Sequence, residues 1–218
     1  MLNHRNVVPS ILLALLCIIT TTSWGGRNAD GSLIIHTDAS VTYSSGYDYC
    51  DSYYQDPDAC IYAETQVEAQ GGAAILWLLA AFPAGSSPGV TVAQFGLEHS
   101  VSGGIIAYGP CGPNVVEIAS PDFPGSGSGN SVGFYPASYG TLFPIYWFAV
   151  EGAPGDTFGS SEDRNAGQAV FVDEGSPAEV DRIERFGLAR WGSPGDNDCP
   201  PSVERRDANL GQIKADFR

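Results

Sequence analysis

From residue 28 to residue 163 the chain contains no lysine or arginine, and across its 218 residues ten Lys and Arg stand against 25 Asp and Glu. With a net charge of -15 at pH 7, it lacks the clustered cations that a phosphate backbone or an anionic lipid surface requires. No nucleic-acid partner is expected. The sequence also has no Cys-x-x-Cys pair and only three histidines, so a zinc site has no ready ligand set. After the first residues no apolar run is long enough to cross a bilayer. The most apolar stretch, Ile75 to Phe82, has the length of a buried strand.

The chain begins with a short basic region at His4 and Arg5, an apolar run from Val7 to Ile19, and small and polar residues from Thr20 to Gly26. This is the pattern of a cleaved secretory leader. Residues 1–26 are read as a signal peptide, 27–199 as one domain, and 200–218 as a C-terminal tail with Leu210, Ile213 and Phe217 on one helical stripe. Of five cysteines, Cys17 falls in the leader. Cys50, Cys60, Cys111 and Cys199 form an even set, which in an exported chain predicts two disulfides. Three connectivities exist. The close spacing of Cys50 and Cys60 across a turn-rich stretch favours Cys50 to Cys60, which leaves Cys111 to Cys199.

Glycine, proline and aromatics are plentiful and the apolar runs are short, an all-β signature. Leu33 to His36 reads as a strand, and Ile61 to Ala69 alternates like one with a wet face. Ala73 to Ala81, apolar throughout, predicts a central strand covered on both sides. Val90 to Leu97, Gly104 to Tyr108, Val115 to Ile118, Ser131 to Phe134, Ile145 to Val150 and Gln168 to Val172 complete the set. Ser176, Pro177 and Glu179 have the spacing of a capping box, Val180 and Ile183 supply an apolar face, and Gly187 a stop. Together these predict a two-sheet β-sandwich of jelly-roll type with one short helix near the C-terminus.

Trp77-Leu78-Leu79-Ala80-Ala81-Phe82-Pro83 followed by Val92 to Glu98, then Gly109-Pro110-Cys111-Gly112 and Tyr146-Trp147-Phe148, resembles a group of uncharacterised exported proteins of environmental bacteria. The ending Leu210 to Arg218 is similar to a tail found in that group, with leucine in place of its tryptophan. The resemblance implies an exported β-sandwich and no particular activity. By fold analogy the strand pattern is also similar to cohesin-like and carbohydrate-binding sandwiches, which transfers no site.

No catalytic residue is assigned. Gly85-Ser86-Ser87-Pro88-Gly89 spells a nucleophile elbow around Ser87, but Pro88 has no N–H to offer an oxyanion. His36 and His99 lack a partnered motif, and carboxylates such as Glu64, Glu68, Glu98 and Glu117 form a glycosidase pair only if the fold sets them at a suitable separation. Asp51, Asp56 and Asp58, in an oxygen-rich loop with Asp48, suit a hard cation, so calcium is the one cofactor candidate. Among loop aromatics, Tyr53, Tyr54 and Tyr135 are the candidate binding residues. The function these readings favour is a secreted, non-catalytic module for a glycan, surface polymer or protein outside the cell. A hydrolase using paired carboxylates and a self-associating surface component are the alternatives. The protein isolated from culture medium should begin between Ser23 and Ala29 and contain no free thiol, which intact mass before and after reduction and alkylation checks.

Overall fold

The computed structural model describes residues 25–52, 60–68 and 72–201. The leader and tail assignments lie outside the described residues, as do Tyr53, Tyr54, Asp56 and Asp58. The strands are β1 (Ser32–Thr42), β2 (Gln66–Val67), β3 (Ala74–Ala81), β4 (Val90–His99), β5 (Gly104–Pro110), β6 (Val115–Ala119), β7 (Gly129–Ser138), β8 (Leu142–Glu151), β9 (Thr157–Ser161), β10 (Val170–Asp173), β11 (Val180–Arg182), β12 (Gly187–Trp191) and β13 (Asp196–Asn197). They form two packed sheets. The smaller has the order β1-β3-β8-β5. In the larger, β4 pairs with β7 and with both β9 and β10, while β6 extends the sheet beyond β7.

β3 shows why its sequence is apolar without alternation. Leu76, Leu78 and Ala80 face the larger sheet and join Phe95, Leu97, Phe148, Phe158 and Phe171 in the inter-sheet core. Ile75, Trp77, Leu79 and Ala81 face the other way into a second cluster with Tyr49, Trp147 and the cysteines. Among the described residues, the cover on that second face comes from residues 43–52 and 60–63, which carry two short 3-10 turns at Cys50–Ser52 and Cys60–Tyr62. The Trp77 indole N–H donates to the Tyr49 carbonyl at 2.9 Å, so the largest buried side chain of the strand also fixes the cover.

Both disulfides serve this cover, and they correct the predicted connectivity: Cys50 bonds Cys111, and Cys60 bonds Cys199. The local closure fails because the two cysteines lie against different parts of the chain. Cys50 sits against the end of β5, with Sγ 3.4 Å from the Pro110 carbonyl. Cys60 then meets the chain beyond β13. Closing 61 and 139 residues, each bridge restricts the unfolded chain by about 4 to 5 kcal/mol on the chain-entropy model.

Two other expectations are corrected. Residues 176–187 form no helix: Ser176–Pro177 is a cis peptide and Val180–Arg182 is strand β11 paired with β10. The carboxylate of Asp173 organises the turn by accepting the N–H groups of Gly175 (2.9 Å) and Glu179 (2.7 Å). Asp181 and Ile183 point inward and are buried, whereas Val180 and Arg182 are exposed, so the period here is two. The alternating stretch from Ile61 likewise yields a 3-10 turn and only the two-residue β2. The strands thus form an all-β sandwich of two packed sheets.

Peptide mapping of the folded protein should join Cys50 to Cys111 and Cys60 to Cys199. Cys60→Ser with Cys199→Ser should lower unfolding free energy by about 2 to 5 kcal/mol in urea titrations, with Trp77 becoming accessible to acrylamide quenching.

Candidate functional site

Beyond Thr37 the second half of β1 runs out of the core, its burial falling from complete at Ile35 to exposed at Ala39 and Ser40. It forms a ridge between two hollows. One, of about 520 Å³, is lined by Asp38, Gln66, Glu68, Ile106 and Glu151 among others, so β1, β2, β3, β5 and the end of β8 all contribute. The other, of about 490 Å³, is lined by Ser40, Ser44, Tyr47, Tyr49 and Ser52. Asp38, Val41 and Thr42 line both. Among the described residues no lysine or arginine lines either hollow, and three carboxylates line the first.

The aromatic wall is built in layers. Tyr49 is buried, packs at 5.0 Å from Trp147, and donates its hydroxyl to the Thr42 carbonyl at 3.1 Å. Tyr43 stacks on it at 6.2 Å, and Tyr47 meets it edge-on at 5.0 Å while staying 55% exposed. Tyr47 is thus the ring presented to solvent, on a support fixed through Trp77 and the disulfides. Asp38 accepts the N–H and the hydroxyl of Ser40 at 2.8 and 2.7 Å, which holds its carboxylate at the ridge.

His36 stands one residue before this ridge and is not a catalytic base. It is buried, stacks on Trp77 at 5.7 Å, and its Nδ1 accepts the Glu64 N–H at 3.0 Å, which selects the neutral ring with hydrogen on Nε2. Burial lowers its pKa, against the opposing pull of Asp38 and Glu64. His99 is also engaged, with Nε2 3.1 Å from the Pro124 carbonyl and its ring stacked on Phe158.

The remaining sequence candidates separate. Asp51 lies in the first 3-10 turn, directly before Ser52 of the second hollow. Among the described residues no three His, Cys, Asp or Glu side chains are grouped to hold a metal ion. Tyr135 is on β7, 79% exposed, on the outer face of the larger sheet and away from the Tyr43 to Tyr49 wall. Glu98 and Glu117 do not face each other. Glu117 pairs in register with buried Val132 on the inner face, whereas Glu98 alternates with inward Leu97 and is bound by Arg164. Ser87 sits after a turn closed by the Ser86 N–H to the Pro83 carbonyl, and its own carbonyl accepts from Arg27.

Sequence reasoning missed Asp38, Glu151 and Ile106. Each sits at the frayed end or edge of a strand, and no spacing in the chain relates them.

No protein-family model matches this chain, and no curated protein does. Among solved structures it is similar to a cohesin module from a Clostridium perfringens family 33 glycoside hydrolase, at 10% identity and TM-score 0.40, covering 74% of this chain and 96% of that one. The two disulfides fit an extracellular protein, and among the described residues no helix is long and apolar enough to cross a membrane.

Because the folded state keeps His36 neutral, the unfolded chain binds a proton first as pH falls through 6.5, the ordinary value. Stability present above that pH is therefore lost below it. Urea titrations at pH 7.5 and 5.5 should show a lower midpoint at pH 5.5, and His36→Gln should remove much of that difference.

Proposed function

We propose that this chain is a secreted, non-catalytic module that binds a glycan, a surface polymer or a protein partner outside the cell through the two hollows beside β1. The observation that carries this reading is an exposed, rigidly backed tyrosine beside hollows whose charged lining groups, among the described residues, are all carboxylates. Tyr47 supplies a flat apolar face, and Asp38, Glu68 and Glu151 supply hydrogen-bond acceptors with no cation among the lining residues. A ring or chain rich in hydroxyl or ammonium donors complements both, as aromatic faces take apolar C–H surfaces and carboxylates take donors. Tyr53 and Tyr54 follow Ser52 directly in sequence, and we extend the binding wall to them. Calcium held by Asp51, Asp56 and Asp58 is the proposed cofactor of the same loop.

A second reading has one observation in its favour: three carboxylates line a single hollow, so a hydrolase using two of them remains the alternative. A glycan array and a pull-down from surface extracts, each with calcium and with EDTA, test the choice beside a broad glycosidase assay. Tyr47→Ala should weaken the binding found by about tenfold or more, with an unchanged melting temperature. Turnover that vanishes in Asp38→Asn or Glu151→Gln would establish the hydrolase instead.

A further inference from the structure

The opposite side of the sandwich carries an independent feature. β5 and β6 are consecutive strands, and among the described residues each pairs on one side only, β5 with β8 and β6 with β7. The two edges approach each other through Tyr146, which Tyr108 of β5 and Glu117 of β6 both touch. The β6 edge, Val115-Val116-Glu117-Ile118-Ala119, contains no lysine and no proline; its one charged side chain is the inward-turned Glu117, which discourages an apolar strand at that position and leaves the edge open to one that carries a complementary charge there.

Its side chains divide by face. Val116 and Ile118 point outward, opposite Gly133 and Ser131, and are 66% and 73% exposed. Glu117 points between the sheets, where its Oε1 accepts the Tyr146 hydroxyl and the Asn130 amide, both at 2.6 Å. Burial and that hydrogen bond hold the Tyr146 phenol protonated, its pKa well above the ordinary value. Tyr108 of the β5 edge stacks on Tyr146 at 6.2 Å and is itself 43% exposed. The mouth between the two edges thus presents a carboxylate fixed by two donors, beside a half-exposed tyrosine ring that also packs perpendicular to Phe123 at 5.7 Å.

We propose that β6 is a docking edge for an extended peptide segment of apolar–basic–apolar pattern, which adds to the larger sheet as one more strand. Backbone pairing with β6 places one residue of the segment opposite Glu117, pointing inward, and its two neighbours outward beside Val116 and Ile118. A lysine or arginine at the inward position meets the Glu117 carboxylate and the Tyr108 ring, an ion pair and a cation–π contact at once. Charge favours such a partner over a second copy of this chain. A two-fold pairing of β6 with itself centred on Glu117 sets like charges opposite each other, and each copy carries net charge -15.

The test uses the full chain, isotope-labelled, and a ten-residue synthetic peptide with Val-Lys-Ile at its centre and serine and threonine elsewhere. Titration should shift and slow the exchange of the Val115 to Ala119 amides. Replacing the peptide's lysine with glutamate should weaken binding at least tenfold, and Glu117→Gln in the protein should weaken the lysine peptide several-fold while leaving the glutamate peptide no weaker. Ile118→Asp, at an exposed position, should reduce binding without changing the melting temperature. Absence of binding, equal affinity for the two peptides, or shifts that map elsewhere would overturn the proposal. So would concentration-dependent association of the protein alone that Ile118→Asp abolishes, since a second copy would then be the occupant. Edge protection in the free protein that disappears when residues 202–218 are deleted would overturn it as well, by placing the chain's own tail there.

Discussion

Everything in this molecule turns on the burial of β3 from both sides. A strand reading Ala-Ile-Leu-Trp-Leu-Leu-Ala-Ala has no polar face, and leaving either side wet would expose several large side chains at about 1.5 to 3 kcal/mol each. The larger sheet covers one side. The other is covered, among the described residues, by the irregular residues 43–52 and 60–63. Irregular chain is a poor cover unless something holds it, because its backbone gains few ladder hydrogen bonds and loses much entropy on ordering. The Trp77 indole bond and the two disulfides are what hold it.

That arrangement gives the candidate site its character. Tyr47 and the hollows beside β1 belong to the cover and its margin, so the proposed recognition surface shares its chain with the structural cover. The bridges at Cys50 and Cys60 anchor it at two points, to the end of β5 and to the chain beyond β13. Rigidity at the base, with rings and acceptors at the rim, lowers the ordering cost of capturing a ligand. The β6 edge begins just after the connection in which Cys111 bonds Cys50 of the cover. Its exposure follows from the sheet ending there and from Glu117 being turned inward to satisfy the hydroxyl of buried Tyr146.

Surface charge contributes little to holding the fold. The ion pairs Arg27–Glu174, Arg164–Glu98 and Arg182–Glu162 are all well exposed, and pairs of that kind contribute about 0 to 1 kcal/mol. Buried carboxylates matter more. Asp181 accepts the N–H groups of Gly26 and Asn28 at 2.7 and 3.1 Å, tying the start of the domain to β11. Asp163 accepts from the Gln94 amide and the Asn165 N–H at 3.3 and 2.9 Å. In so acidic a chain, a few carboxylates do structural work by taking backbone donors while the rest remain solvated.

What the sequence by itself determined was whatever depends on local pattern: the all-β class, the doubly covered β3, and strands β4, β5, β6, β7, β8 and β10 to within a few residues. Runs of apolar and β-branched residues carry that information because a strand needs only its own side chains to declare which faces are dry. Strands β9 and β12 were not legible, since Thr-Phe-Gly-Ser-Ser and Gly-Leu-Ala-Arg-Trp become strands through pairing with each other and with β4. The segment from Ser176 read as a helix because Val180 and Ile183 fit a helical spacing, and pairing with β10 overrode it. Disulfide partners, the grouping of Asp38 with Glu68 and Glu151, and the turning of Glu117 toward Tyr146 were decided by tertiary structure alone. Each joins residues far apart in the chain, and only the packing of one sheet on the other brings them within reach.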